Sequence, residues 1–243
     1  MLIKENLLFQ KVKEQSPSFA PILLFGPNEG LVRENFLKVK KIFNQTNSEE
    51  VTFTGKLINE KPEILVDEIN AISMFHDRKI IVIEQSIDKN IELFEEVFLN
   101  MPDNMLIIIL ATNLTKTSKI RKFFESSEKY FACANYEDDL RTNSQQIQYL
   151  EENINKKLST DIKIYLNQSL STDRMISKNE IEKIILLYFE NDEVPLLENI
   201  KLIFNDNADL NLNKISQLVF SGQPKKASIN LNKVFLDNEL RQL

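Results

Sequence analysis

The chain of 243 residues has one cysteine, Cys133, and one histidine, His76. A single thiol can build neither an intrachain disulfide nor a four-thiolate zinc site, and a reducing cytoplasm is the setting expected for such a chain. A single imidazole removes most catalysis and metal binding that depends on histidine. Long apolar runs are missing too. None approaches the ~20 residues needed to cross a bilayer, and the opening Met1-Leu2-Ile3-Lys4-Glu5-Asn6 has neither the apolar core nor the small-residue cleavage site of a secretory signal. A soluble, cytoplasmic protein with no membrane partner is expected. Positive charge is also in short supply. The formal charge of −6 and pI near 5.1 argue against a free-standing nucleic-acid binder, whose affinity comes from neutralising phosphates. Local basic patches remain compatible with that total.

What is present is a long alternation of apolar runs and amphipathic stretches, in a chain large enough for one big domain or two smaller ones. Residues 4–15 read as a short helix. Ile22-Leu23-Leu24-Phe25 reads as a buried strand, Gly26-Pro27-Asn28-Glu29-Gly30 as the turn after it, and Val32, Phe36, Val39 and Phe43 as one face of the helix that follows. Val51-Thr52-Phe53 is a second short strand. A helix over 62–72, a strand over 79–84, a helix over 90–100, an apolar strand over 105–111, a helix over 117–126 and a strand over 130–134 complete the set. This pattern predicts a doubly wound α/β domain with a mostly parallel sheet over residues 1–139, with Cys133 in its core.

Past Tyr136-Glu137-Asp138-Asp139 the strands stop. Helices are expected over 140–157, 161–169, 177–189 and 196–204, forming a small helical domain over 140–209 that ends in a linker, Asn205-Asp206-Asn207-Ala208-Asp209. Two further helices, about 211–221 and 225–240, carry Ile229, Leu231, Val234, Phe235 and Leu236. So short a segment cannot bury that apolar surface alone, so it either docks on the preceding domains or belongs to a further domain.

Two stretches invite a functional reading. The first is the strand and glycine turn at 22–30, which occupies the place of a phosphate-binding loop. Gly26 fits the first glycine of G-x-x-x-x-G-K-[ST], but Leu31, Val32 and Arg33 stand where glycine, lysine and a hydroxyl residue are required, and Gly30 is displaced from the pattern. Arg33 can still meet a phosphate, yet it supplies no hydroxyl for magnesium. Glu84 and Asn113, at the ends of later strands, are placed like a metal-side carboxylate and a water-positioning residue, with ordinary strand ends as the plainer reading.

The second is Ser73-Met74-Phe75, directly after the helix whose Leu65, Ile69 and Ile72 give it an i, i+4, i+7 stripe. Met74 departs from that stripe and sits with Phe75 among polar residues. The pair is a candidate contact surface. Its plain alternative is that Phe75 staples the helix end onto the sheet and Met74 is a tolerated surface residue. Elsewhere, Glu49-Glu50 and Glu137-Asp138-Asp139 read as solvated turns, and Thr172 or Asp173 as an N-cap. Lys116, Lys119, Arg121 and Lys122 form a basic helix start that reads as a solvated face.

The order of these elements, a defective phosphate loop followed by a helical lid, resembles the plan of AAA+ clamp-loader subunits. The phrases Leu24-Phe25-Gly26-Pro27-Asn28-Glu29-Gly30-Leu31-Val32-Arg33-Glu34, Ser73-Met74-Phe75, Lys119-Ile120-Arg121-Lys122-Phe123-Phe124-Glu125 and Asn179-Glu180-Ile181-Glu182-Lys183 are similar to the bacterial DNA polymerase III delta subunit, its alphaproteobacterial form above all. The resemblance spans about residues 20–190. It implies a subunit of the DNA-directed DNA polymerase III holoenzyme, a nucleotidyltransferase complex, with no catalytic site, metal or cofactor of its own. Such a subunit binds the beta sliding clamp, helps to open the ring for loading onto primed DNA, and assembles with gamma/tau and delta-prime through a helical collar. Under that resemblance Ser73, Met74 and Phe75 are the clamp-binding element, Gly26, Gly30 and Arg33 are the remnant of a phosphate loop that holds no ATP, and residues 210–243 are the first helices of a truncated collar. The rival readings are a divergent P-loop NTPase using Arg33 and Glu84, and an adaptor that uses Met74 and Phe75 on another partner.

Overall fold

Alternation along the strands sorts their side chains into two cores. The computed structural model describes residues 1–15, 19–43, 48–71, 73, 75–85, 91–112, 114–189, 193, 195–208 and isolated positions beyond 218. The chain divides into two units, one of Met1–Glu137 with Thr172–Met175 and one of Asp138–Ser171 with Ile176–Leu243.

The first unit is built on six strands: β1 (Leu2–Ile3), β2 (Ile22–Phe25), β3 (Ser48–Thr54), β4 (Arg78–Glu84), β5 (Met105–Ala111) and β6 (Phe131–Ala134). They run in the order β1-β6-β2-β5-β4-β3, with every neighbouring pair parallel. All seven residues of β5 are buried, as a central strand covered on both faces requires. Its helices are α1 (Glu5–Glu14), α2 (Glu29–Phe43), α3 (Gly55–Glu60), α4 (Glu63–Asn70), α5 (Ile91–Leu99) and α6 (Lys119–Ser126). Leu23, Phe25, Ile81, Ile83, Ile107 and Ile109 point to one face and pack with residues of α4, α5 and α6. Ile22, Leu24, Ile80, Val82, Leu106 and Ile108 point to the other and pack with α1 and α2. Successive strand residues face opposite ways, so each strand feeds both layers. Cys133 lies buried in β6, and burial, with the Glu5 carboxylate beside it, pushes its thiol up to about 12.

Three features depart from the sequence expectation in this unit. The two-residue strand β1 precedes α1 and pairs with β6; two residues are too short to show a period. Helix α3 was not expected, and Thr54 caps it by accepting from Leu57 N at 3.3 Å. Glu49 and Glu50 lie within β3 rather than in a turn. Glu50 pairs with Lys40, and Glu49 lies 3.9 Å from Lys79.

The second unit contains α7 (Leu140–Ile154), α8 (Thr160–Ser169), most of α9 (Arg174–Tyr188) and α10 (Leu197–Ala208). Ile147, Leu150, Ile154, Ile162, Leu166, Ile181, Ile184 and Ile200 form its core. Asp139, expected in a solvated turn, caps α7 by accepting from Thr142 N at 2.9 Å. Asn155 ends that helix in the left-handed region at φ 53°. Residues 205–208, expected to be linker, extend α10 by one turn. The helices expected at 211–221 and 225–240 fall largely outside the described residues.

Candidate functional site

Helix α4 begins behind Pro62, whose αR backbone (φ −63°, ψ −25°) starts the first turn without needing an N–H. Leu65 and Ile69 are buried as their spacing predicts, but the helix ends at Asn70, two residues before the expected end. Ala71 is extended (ψ 121°) while its N–H still donates to Asp67 O at 2.9 Å. Ser73 Oγ and His76 Nδ1 share a hydrogen bond at 3.2 Å. Between those two residues Phe75 is 84% exposed, so it does not staple the helix end onto the sheet. Ile72 and Met74 lie outside the described residues.

A cavity of about 260 Å³ is lined among others by Asn70, Ser73, His76, Lys79 and Asn104. Two of these residues were passed over by the sequence reading. Lys79 is only 5% exposed, and its Nζ donates to Glu68 Oε1 at 2.6 Å, Ala71 O at 2.9 Å and Glu68 O at 3.1 Å. Asn104 Nδ2 donates to Asp77 O at 2.9 Å, and Asn104 O accepts from Lys79 N at 3.1 Å. A signal for Lys79 was present. It has the same parity as the core residues Ile81 and Ile83 in an otherwise apolar strand, so it had to point inward.

The glycine turn after β2 stands in the sequence position of a phosphate loop, and its residues are bonded by other parts of the chain. Gly26 has φ 144°, and a Cβ there would meet Asn135 O at 2.1 Å. Asn28, 1% exposed, stitches the turn. Its Oδ1 accepts from Leu31 N and Arg174 N, both at 2.9 Å, and its Nδ2 donates to Thr172 O at 3.0 Å and Tyr136 O at 3.3 Å. The Gly30 N–H, in the first turn of α2, donates to Asp173 Oδ2 at 2.9 Å. The other oxygen of that carboxylate accepts from Met175 N at 2.9 Å, so Asp173 serves the starts of α2 and α9 together. A helix N-terminus favours an anion, and here a carboxylate of the chain takes that place.

Arg33, three residues beyond Gly30 along α2, has no phosphate-loop lysine or hydroxyl residue beside it. It is exposed, and its guanidinium lies 5.1 Å over the Phe36 ring. Glu84 ends β4 as expected, while Asn113 lies outside the described residues. In the basic helix start, Arg121 faces inward: it bonds Glu125 Oε1 at 2.8 Å and Leu114 O at 3.2 Å, and stacks 4.7 Å over Phe25. Among the described residues, no cluster of three or more His, Cys, Asp or Glu side chains could hold a metal ion, and no helix is long and apolar enough to cross a membrane.

Residues 23–134 match the family described as DNA polymerase III, delta subunit. The chain is 24% identical over 186 residues to the probable DNA polymerase III subunit delta of Rickettsia prowazekii (strain Madrid E). The match covers 76% of this chain and 56% of that protein, so the chain spans little more than half the relative's length. The fold is similar to that of the Bacillus subtilis DNA clamp loader delta protein, with a TM-score of 0.54, 13% identity, and coverage of 93% of this chain and 71% of that one. It is likewise similar to the Thermotoga maritima RuvB Holliday junction branch migration motor, with a TM-score of 0.52, 11% identity, and coverage of 88% and 73%. The architecture is therefore that of an AAA+-like parallel α/β domain.

Proposed function

We infer, from the match of residues 23–134 to the DNA polymerase III delta subunit family, that the chain is a clamp-loader subunit that binds the beta sliding clamp and helps to open it for loading onto primed DNA. The observation that carries the reading is Phe75, a large aromatic 84% exposed in the turn after α4. Ser73, Met74 and Phe75 are the clamp-binding element on this reading. Burying two such side chains in a pocket of the ring contributes on the order of 1.5–3 kcal/mol each. An element that binds a distorted ring better than a closed one shifts the clamp toward opening without hydrolysis in this subunit.

The chain has no catalytic site of its own on this reading and acts within the polymerase III holoenzyme during DNA replication. Gamma/tau and delta-prime are its assembly partners, meeting it through a collar that begins in residues 210–243. The division into an AAA+-like domain over 1–139, a helical lid over 140–209 and that collar is part of the same proposal. A divergent nucleotide hydrolase is disfavoured, because Gly30 N–H at the phosphate position already donates to Asp173 and the lysine and hydroxyl of the loop are replaced.

The test is biosensor binding of the wild-type chain and a Met74→Ala/Phe75→Ala double variant to the beta clamp. Saturable binding that the folded double variant loses is the expected result. Equal binding by both proteins removes Ser73-Met74-Phe75 as the contact, and no wild-type binding at micromolar clamp overturns the reading.

A further inference from the structure

An ammonium group buried in a sheet core is costly unless every proton is used, and an apolar side chain of similar volume often serves stability as well or better. Lys79 uses all three protons on α4: two reach the Glu68 and Ala71 carbonyls and one reaches the Glu68 carboxylate. The end of a helix leaves carbonyls without partners and carries partial negative charge, so this is where a buried cation is best accommodated. Its strand neighbour Arg78 faces the other layer. Arg78 donates to Phe43 O at 2.7 Å and lies over the Phe43 and Phe19 rings. The start of β4 is thus tied to both layers at once. Asn104 holds the far side of the turn through Asp77 O, and the Ser73–His76 bond closes its middle.

The Lys79 and Asn104 bonds act on the backbone on either side of Phe75. Ala71 is where the chain leaves α4, and Asp77 is where it returns to β4. We propose that Lys79 and Asn104 are positioning residues that hold Phe75 in its binding conformation before the clamp arrives. The proposal rests on the clamp-binding reading of Phe75. Preorganisation of this kind acts on affinity by removing the ordering cost from the binding step. On this proposal Lys79 sets the direction in which α4 ends rather than adding to the stability of the sheet.

The chain has no tryptophan, so Phe75→Trp supplies a single fluorescent reporter at the turn. In that background, Lys79→Met and Asn104→Ala are compared with Lys79→Arg by fluorescence anisotropy of the free protein and by clamp affinity. The expected result is lower anisotropy and clamp binding weakened about tenfold for Lys79→Met, a smaller loss for Asn104→Ala, and partial rescue by Lys79→Arg. Asn104→Ala removes one exposed hydrogen bond and keeps the test open if Lys79→Met does not fold. Anisotropy and affinity equal to those of the Phe75→Trp parent in the folded variants overturn the positioning role while leaving the clamp reading intact. If the Phe75→Ala chain binds the clamp as well as wild type, Phe75 is not the contact and this proposal falls, while the absence of any wild-type binding overturns the clamp reading itself.

Discussion

A methyl group added at Gly30 would lie 2.4 Å from both Asp173 Oδ1 and Met175 N, and 2.7 Å from Met175 Cβ. The carboxylate could swing aside, but the backbone nitrogen at the start of α9 cannot. Gly30→Ala is expected to cost about 2 kcal/mol or more, by overpacking and by loss of the bond to Asp173. A drop of several degrees in the melting temperature, measured by differential scanning calorimetry, checks it, and an unchanged melting point would refute the close packing. The requirement was not legible in the sequence. Gly30 there looked like a misplaced motif glycine, whereas its constraint comes from a residue more than a hundred positions away. Asn28 escapes notice for the same reason, since a buried amide that bridges distant backbone has no local signature, and Asp173 is legible as the N-cap of α9 but not as the partner of Gly30. Phe75 and Met74, by contrast, stood out locally, because they broke the stripe of a readable helix.

Among the elements, long apolar runs were read with correct type, and their ends were off by up to a few residues. β5 was found at 105–111 because seven consecutive apolar residues allow little else, while α4 was expected to reach 72 because Ile72 continues its spacing. The helix stops at Asn70 where Lys79, from the strand that follows the turn, bonds the Glu68 and Ala71 carbonyls, and the apolar spacing within the helix does not carry that information. In the helical unit a single carboxylate ties two elements together. Glu151 in α7 accepts from Leu158 N at 2.7 Å and pairs with Lys163 of α8 at 2.8 Å. Burial opposes its ionisation, but the bonds from Lys163 and Leu158 outweigh burial and hold its carboxyl below the ordinary carboxylate range. A depressed folded value means that this stabilisation is present above about pH 4.5 and is lost as pH falls through the folded value. Glu151→Gln is therefore expected to destabilise the helices by about 1–3 kcal/mol at pH 7, and by less as the pH is taken below 4. Urea unfolding followed by circular dichroism at both pH values measures the difference, and an equal penalty at both would contradict it.

For the whole molecule, the sheet order explains why the α/β class was readable while the fate of the glycine turn was not. Strand parity and helix spacing are properties of short windows, and they suffice to predict a parallel sheet covered by helices. What sits at the tip of β2 is decided by Asp173, which reaches it from the chain beyond the last strand. That occupancy leads to an expectation for nucleotide. Millimolar ATP with magnesium should leave the melting temperature unchanged within about 1 °C, since a site filled a hundredfold above its dissociation constant would add about 2.7 kcal/mol. A clear upward shift would revive the hydrolase reading.

The strand order also sets a timetable for synthesis. β2 leaves the ribosome early, but its neighbours in the sheet are β5 and β6, which end at Ala111 and Ala134. At roughly 10 residues per second, Ile22, Leu23, Leu24 and Phe25 wait about 10 s before either neighbour has emerged. β3 and β4, adjacent in both sequence and sheet, can pair in the meantime. β2 is thus made before both of its neighbours and enclosed only after them. For that interval the nascent chain exposes the apolar segment that leads into its glycine turn, the stretch through which a chaperone would most readily hold it.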